Sequence, residues 1–188
     1  MLWGFAGGLE LRRSADGTIR LRGSFPYGAE TELTSTRREV IAPRAFGSRI
    51  AAGADVHLLV QHDWDRPLAS RASGSLDLTD GDDALRFEAT ISESLRTAPY
   101  VADFLGALDA GLIRGLSPGF RVARAPGTEE IQSEGNVIKR TVRQAELIEL
   151  SAVTLPAYSQ AQVEARRWSA AEDQADTGLF RTIQRWRA

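Results

Sequence analysis

Three short segments of the chain carry the residue types from which a serine nucleophile can be activated. They are Gln61–Asp63, Gly115–Phe120 and Glu149–Ala157, and in that order they supply a histidine, a serine between glycines and a carboxylate. A serine hydroxyl is a weak nucleophile at neutral pH, so it needs a base within hydrogen-bond reach and a third group that orients the base. The sequence therefore contains the parts of a hydrolytic triad, and the elements around these segments must bring them together.

The base is one of two histidines, His57 and His62. The apolar run Val56–Val60 predicts a buried strand, and His62 continues its inward-facing alternation whereas His57 has the opposite parity. Acidic residues and a proline follow His62, so it lies where the strand gives way to a loop, a common place for catalytic groups. This pattern favours His62.

Ser117 is the candidate nucleophile. Gly115 and Gly119 flank it, which predicts a turn between a helix and a strand where small neighbours let a substrate backbone approach closely. Pro118 has no N–H, so the amide directly after the serine cannot form an oxyanion hole as it does in α/β-hydrolases. The amides of Gly119 or Phe120, or a donor from elsewhere such as an arginine, must serve instead.

The third member of the triad is predicted to be Glu149. This residue lies among apolar neighbours on a predicted strand, where a carboxylate is costly unless it is paired, and a charged imidazole would pair it. Three other carboxylates are alternatives: Glu146, Asp63 and Asp65. Asp63 is adjacent to His62 in sequence, and that geometry disfavours it.

A metal site formed by the two histidines with Asp63 or Asp65 has suitable ligand types. However, opposite strand parity keeps the two rings apart, and we expect neither a metal nor a cofactor. Taken singly, a turn serine, a lone histidine or a strand glutamate is usually structural, because short motifs match often by chance.

The composition indicates one soluble globular domain. The chain has 188 residues, 43% hydrophobic and 26% charged, with a net charge of -2. That charge gives no electrostatic reason to expect nucleic-acid or anionic-membrane binding. The absence of cysteine excludes thiolate catalysis and disulfides. The N-terminal residues lack the features of a signal peptide, and no apolar run is long enough to span a bilayer.

Alternating apolar residues predict a mainly β domain. A hairpin is expected around Ala15–Gly17, and a second pair of strands on either side of residues 79–83. Two helices are expected, over 45–52 and over 97–110, the latter with Thr97 as its N-cap. Residues 124–136 are expected to form an exposed loop. The sum is about seven strands, more barrel than sandwich, with peripheral helices.

The same segments resemble the prohead proteases of tailed bacteriophages, distant relatives of herpesvirus assemblin, over roughly residues 18 to 165. The matching segments are Ile41–Phe46, Leu58–Leu68, Asp109–Phe120 and Glu146–Ala157. The resemblance implies that His62, Ser117 and Glu149 form the catalytic triad. This sequence departs from the family pattern at three positions, where it has Ala69, Pro118 and Arg44; Arg44 stands in place of a glycine and was expected to matter little.

The resemblance also implies a fold and a role. The fold is an α+β, mainly β domain built on an assemblin-like closed or nearly closed barrel over residues 1–158, with a helical extension or tail over 159–188. The role is that of a serine endopeptidase inside the immature capsid, in the cytoplasm of the bacterial host. It would cut the scaffolding segment from the major capsid protein and then itself, and self-association, as a dimer, is expected. Phages, prophages and gene-transfer particles carry such enzymes.

Two alternatives remain beside the peptidase. One is a non-catalytic capsid scaffold or assembly module that keeps the protease fold. The other is an esterase or another acyl hydrolase, although the chain lacks the G-x-S-x-G elbow of the α/β-hydrolases.

Overall fold

The computed structural model describes residues 9–13, 19–113 and 115–156. These residues form twelve strands and three helices. The strands are β1 Leu9–Arg13, β2 Ile19–Pro26, β3 Glu30–Thr34, β4 Arg37–Ile41, β5 His57–Val60, β6 Asp63–Ser70, β7 Leu76–Asp80, β8 Ala84–Ile91, β9 Gly115–Arg121, β10 Glu129–Glu134, β11 Val137–Val142 and β12 Glu146–Val153. The helices are α1 Gly47–Ala51, α2 Glu93–Arg96 and α3 Pro99–Asp109.

The first sheet has the strand order β1-β2-β8-β7 and is antiparallel throughout. The hairpin expected around Ala15–Gly17 is confirmed in its strands: β1 pairs with β2, and Leu11 lies opposite Leu21. The β7–β8 pair is confirmed as well. Alternate residues of β2 and β8, such as Leu21 and Phe87, are buried in the core, as expected for a sheet with one face on the core.

The second sheet has the order β10-β11-β4-β3. Residues 124–136 were expected to form a loop, and that prediction is wrong for Glu129–Glu134, which pairs with β11 as an edge strand. The segment lacks an apolar alternation because most of it is exposed, so pairing with a neighbour decides its conformation rather than local pattern. On the inward face, the guanidinium of Arg140 bonds to the buried carboxylate of Glu39.

The third sheet contains the candidate site and has the order β6-β5-β12-β9. In it β12 runs parallel to β5 and antiparallel to β9. The central strand β12 is buried along most of its length, and five of its eight residues are apolar, as expected for a strand covered on both faces. Its core face, with Leu150 and Ala152, packs in the same cluster as Leu58 of β5 and Leu116 of β9.

The chain is mainly β with few helices, as the sequence predicted. The strands are more numerous than the expected seven, and within the described residues no sheet closes into a barrel. The barrel therefore stays a prediction. The first and third sheets share one core, since β6 lies against β8 and β2 against β9, and residues such as Phe87, Phe104 and Leu116 belong to one cluster.

The helix over 45–52 is confirmed as α1. The helix expected over 97–110 is two helices, because Thr97 is the C-cap of α2 and not an N-cap. Ser92 caps α2 through its hydroxyl, and α3 starts at Pro99 without a side-chain cap. Pro99 suits the first helical position, where no N–H is needed, and Gly111, with φ of 69°, ends the segment as predicted.

Arg44 has a backbone conformation that glycine favours. Its φ is 57°, in the left-handed region that costs a residue with a Cβ about 1–2 kcal/mol. The guanidinium pairs with Asp82 at 2.5 Å, but both side chains are exposed, so the pair contributes little. The replacement of glycine by Arg44, expected to be minor, therefore strains the backbone.

We expect Arg44→Gly to melt at a higher temperature than Arg44→Ala. Both variants lose the pair with Asp82, so the difference isolates the left-handed backbone, and it should amount to roughly 2–4 °C for a chain of this size. Differential scanning calorimetry of the two variants measures it. Equal midpoints would show that the conformation at position 44 is not strained.

No helix among residues 9–13, 19–113 and 115–156 has the length and apolar character needed to cross a membrane. The predicted helical extension over 159–188 lies outside the described residues, and the domain boundary at 158 stays a prediction.

Candidate active site

The pairing of β9 with β12 places a serine and a glutamate on one face of the third sheet. Ser117 lies opposite Ser151, and Glu149 lies opposite Gly119. Residues directly opposite each other in a sheet project to the same face, and so do residues two apart on one strand. A bulge between Leu147 and Glu149 sets this register. Ser117, Glu149 and Ser151 therefore share one face, and all three are buried.

His62 reaches that face from a turn and not from the strand. Strand β5 ends at Val60, and Gln61 and His62 both have left-handed backbones, with φ of 55° and 59°. The amide of Gln61 donates to the carbonyl of Ala152 at 3.1 Å, which anchors the turn to β12. The choice of His62 as the base stays a prediction, but its parity argument was wrong: the row of Leu58 and Val60 faces the core, whereas Glu149 and Ser151 lie on the opposite face.

The ring of His62 is bonded to Glu149. Its Nδ1 lies 2.8 Å from Oε1 of Glu149, across 87 positions of sequence. A carboxylate can only accept a hydrogen bond, so Nδ1 donates in this bond, and in the neutral form of the ring that tautomer leaves Nε2 unprotonated. Glu149 is 4% exposed, and its second oxygen accepts a bond from the hydroxyl of Ser151 at 2.6 Å. The buried charge is therefore paired on both oxygens.

Two buried polar atoms of the site have no hydrogen-bond partner among the described residues: Nε2 of His62 and Oγ of Ser117. Buried polar groups are nearly always bonded, and an exception calls for an explanation. Here the unpaired atoms are a base nitrogen and a hydroxyl, which are the two groups that must exchange a proton in serine catalysis.

The alternative residues lie elsewhere. Nδ1 of His57 is 3.6 Å from Asp55, and its ring packs edge-on against Trp64. Asp63 pairs with Arg66 at 3.2 Å. Asp65 is exposed on β6, and Glu146 is exposed at the start of β12. Of the described carboxylates, Glu149 is the one bonded to His62. The part of the chain that the structure describes has no group of three potential metal ligands.

Ser117 was expected in a turn, and that prediction is wrong: it lies within β9, an edge strand of the third sheet. The edge position is also where a strand tolerates Pro118, because proline has no N–H to donate to a neighbouring strand and an edge strand pairs on one side only. The oxyanion donors proposed from sequence, the amides of Gly119 and Phe120, stay a prediction.

Gly119 is required by the side chain of Glu149; the close approach of a substrate, expected from the sequence, stays a prediction. A Cβ at this position would lie 2.1 Å from Oε1 of Glu149, far inside van der Waals contact. The side chain of Glu149 thus occupies the space that any other residue at position 119 would fill. Gly115 is required for a similar reason, since a Cβ added at this position would lie 2.7 Å from the ring of Pro156.

We expect Gly119→Ala to displace Glu149 and to lower any hydrolytic activity of the site by at least about 10²-fold, because an orienting group moved by an ångström misplaces the base. The chain should also lose stability through a buried carboxylate without its partners. Gly106→Ala is the control, since nothing lies within 4 Å of a Cβ added there and alanine favours a helix. Peptide hydrolysis and thermal melting of both variants measure the effect; activity equal to that of Gly106→Ala would contradict it.

Ser151 is the site residue that the sequence analysis missed. It is fully buried, and it bonds to both Glu149 and the backbone of His62. The signal was its place two residues after Glu149 on a predicted strand, which puts both side chains on one face.

Comparison with known proteins gives one result. A family model described as caudovirus prohead serine protease matches residues 9–175 of the chain. No match was found among curated proteins, and none among solved structures.

Proposed function

We propose a catalytic assignment for this chain, which belongs to the caudovirus prohead serine protease family. Membership makes it a serine protease of capsid maturation in tailed phages, with a capsid protein as its partner and the procapsid as its place of action. The finer proposal is that Ser117 is the nucleophile, His62 the general base and Glu149 the group that orients the base. The bond between His62 and Glu149, beside an unpaired Nε2 and an unpaired Ser117 hydroxyl, carries the proposal.

The chemistry is acyl transfer. Nε2 of His62 accepts the hydroxyl proton as Oγ of Ser117 attacks the carbonyl carbon of the scissile bond. The protonated ring then gives that proton to the leaving amine, and the C–N bond breaks to leave an acyl-enzyme. Water, deprotonated by the same nitrogen, attacks the ester, and the released proton returns to Ser117. Glu149 holds Nδ1–H throughout and stabilises the ring when it is charged.

The two reacting atoms make no hydrogen bond to each other in this structure, since both are unpaired. Ser117 lies on the face where Glu149 binds His62, and the proposal requires that Oγ and Nε2 come within hydrogen-bond distance there. Bonds of this kind commonly tighten only when a substrate is bound. We therefore assign the bond between Oγ and Nε2 to the complex with substrate.

The substrate and its setting follow from the family. We propose that the chain cuts the scaffolding segment from the major capsid protein and then cuts itself, inside the immature capsid and in the host cytoplasm. A homodimer is the proposed state, without nucleic acid or membrane. The assemblin-like closed barrel belongs to the same proposal, supported by the packing of β6 on β8 and of β2 on β9.

A reactive phosphonate tests the nucleophile. Assembled particles that contain the chain and its capsid protein are treated with a fluorophosphonate, and the adduct is located by peptide mass spectrometry. We expect one adduct on Ser117 and none on the Ser117→Ala variant. Absence of any adduct, together with uncut capsid protein, would contradict the catalytic assignment and favour a non-catalytic assembly module. An adduct with turnover of small esters but not of capsid peptides would favour an acyl hydrolase.

A further inference from the structure

The hydroxyl of Ser151 donates one hydrogen bond and accepts one, both within the site. The residue is fully buried on β12, directly opposite Ser117. Its Oγ donates to Oε2 of Glu149 at 2.6 Å and accepts the backbone N–H of His62 at 3.0 Å. A hydroxyl has one proton to donate, and here the carboxylate receives it.

Together with the bond between His62 and Glu149, these two bonds form a closed cycle of three hydrogen bonds. The backbone of His62 bonds to Ser151, Ser151 bonds to one oxygen of Glu149, and the other oxygen bonds back to the ring of His62. Each bond fixes a different degree of freedom: the position of the turn, the rotation of the carboxylate and the orientation of the imidazole. Hydrogen bonds that involve a carboxylate are among the stronger ones.

The closed cycle of hydrogen bonds matters because the turn that it holds has an intrinsically unfavourable backbone conformation. Gln61 and His62 both adopt left-handed backbones, which non-glycine residues avoid unless their surroundings impose them. The acceptor that Ser151 offers to the amide of His62 is one such constraint. Without this hydrogen bond, the turn that carries the imidazole would be held less firmly in its left-handed conformation.

Ser151 is not a second nucleophile. Its proton is directed at Glu149, and the nitrogen free to accept a proton, Nε2 of His62, has no bond to it. The hydroxyl therefore acts on the reaction through two other groups.

We propose that Ser151 is a positioning residue, which holds Glu149 and the turn at His62 so that Nε2 is the unprotonated nitrogen facing Ser117. This inference rests on the proposed function. It assigns the role to the hydroxyl itself and not to the volume that the side chain fills.

Three variants separate these possibilities. Ser151→Ala removes the hydroxyl, Ser151→Thr keeps it on a residue suited to a strand, and Thr128→Ala is the control. Thr128 is also buried, and its hydroxyl lies 2.8 Å from each of two acceptors away from the site, the carbonyls of Ala123 and Ala125. Each variant is made in the full chain, with and without Ser117→Ala.

Two measurements are made on the folded variants. The first is kcat and KM on a capsid-protein peptide. The second is the proton NMR signal of the His62 Nδ1–H in the Ser117→Ala background, assigned with a His57→Gln variant, because a proton held against a carboxylate exchanges slowly and resonates downfield.

Ser151→Ala should lower kcat by about 10²-fold, the usual consequence of a base misplaced by an ångström, with KM nearly unchanged. The Nδ1–H signal should broaden or vanish. Ser151→Thr should recover both, and Thr128→Ala should change neither.

Normal kcat and an intact signal in Ser151→Ala would overturn the proposal, as would equal damage in Ser151→Thr and Ser151→Ala. Failure of the proposed function is distinguishable from these outcomes: the parent chain would then show neither hydrolysis nor phosphonate labelling. The NMR signal, which needs no turnover, would still show whether Ser151 positions His62.

Discussion

Replacing Ser117 with alanine should produce a folded chain that leaves the capsid protein at full length. Loss of the nucleophile removes acyl transfer, and in a serine protease such a change lowers kcat by about 10⁶-fold. The fold should not suffer, because Oγ of Ser117 is buried without a partner among the described residues. Removing an unsatisfied buried hydroxyl sacrifices no hydrogen bond and relieves a desolvation cost.

The expected result is therefore a split between activity and stability. Co-expression with the capsid protein, followed by gel electrophoresis, reports the shortening, and thermal melting reports the stability. Ser133→Ala is the matched control, since Ser133 lies exposed on β10 in the second sheet. Undiminished shortening in Ser117→Ala would show that the nucleophile is misassigned. A marked drop in its melting temperature would show that the hydroxyl has a structural partner in the native protein.

Glu149→Gln should lower kcat by about 10⁴-fold, the magnitude seen when the orienting acid of a serine protease becomes an amide. The reason here is the bond from Ser151. Its hydroxyl donates to the side chain at position 149, so the amide oxygen of glutamine would take that place and the NH₂ group would face Nδ1 of His62. An NH₂ donor makes Nδ1 the acceptor, and the proton moves to Nε2, where it blocks the base.

Glu146→Gln is the matched control for this experiment, because Glu146 lies on the same strand and is exposed. Hydrolysis of a capsid-protein peptide under saturating substrate measures kcat. Since the substitution changes the tautomer of His62 and not the binding of substrate, KM should change little. Equal values of kcat for Glu149→Gln and Glu146→Gln would mean that the bond between Glu149 and His62 has no part in the reaction.

The sequence predicted the strands best where apolar alternation was strong. The pairs β1–β2 and β7–β8 formed as expected, since each has one face on the core. The polar strand β10 was predicted as a loop because its exposed residues have no alternation, and its strand conformation comes from pairing with β11. Thr97 was misjudged because an earlier helix begins at the cap Ser92 and ends at Thr97, so that the segment is split there.

The sequence indicated two of the residues that the structure brings together, but not the geometry of their meeting. His62 and Glu149 do meet, although strand parity suggested a different path for the histidine. No local pattern indicates that Gln61 and His62 turn with left-handed backbones, because that conformation is imposed by partners on β12. The same limit applies to Gly119, which is required by the carboxylate of Glu149, 30 positions further along the chain. Contacts between distant segments decide these features.

The position of β12 in the third sheet governs when the proposed enzyme can first act. This strand lies between β5 and β9, and it is the last described strand to leave the ribosome. A nascent chain that has passed Ser117 holds a histidine and a serine, but it has neither the acid nor the strand on which they assemble. Pairings between remote segments form slowly, which adds a further delay. A chain that has not yet added β12 therefore lacks the acid of the proposed triad and the strand on which the triad would assemble.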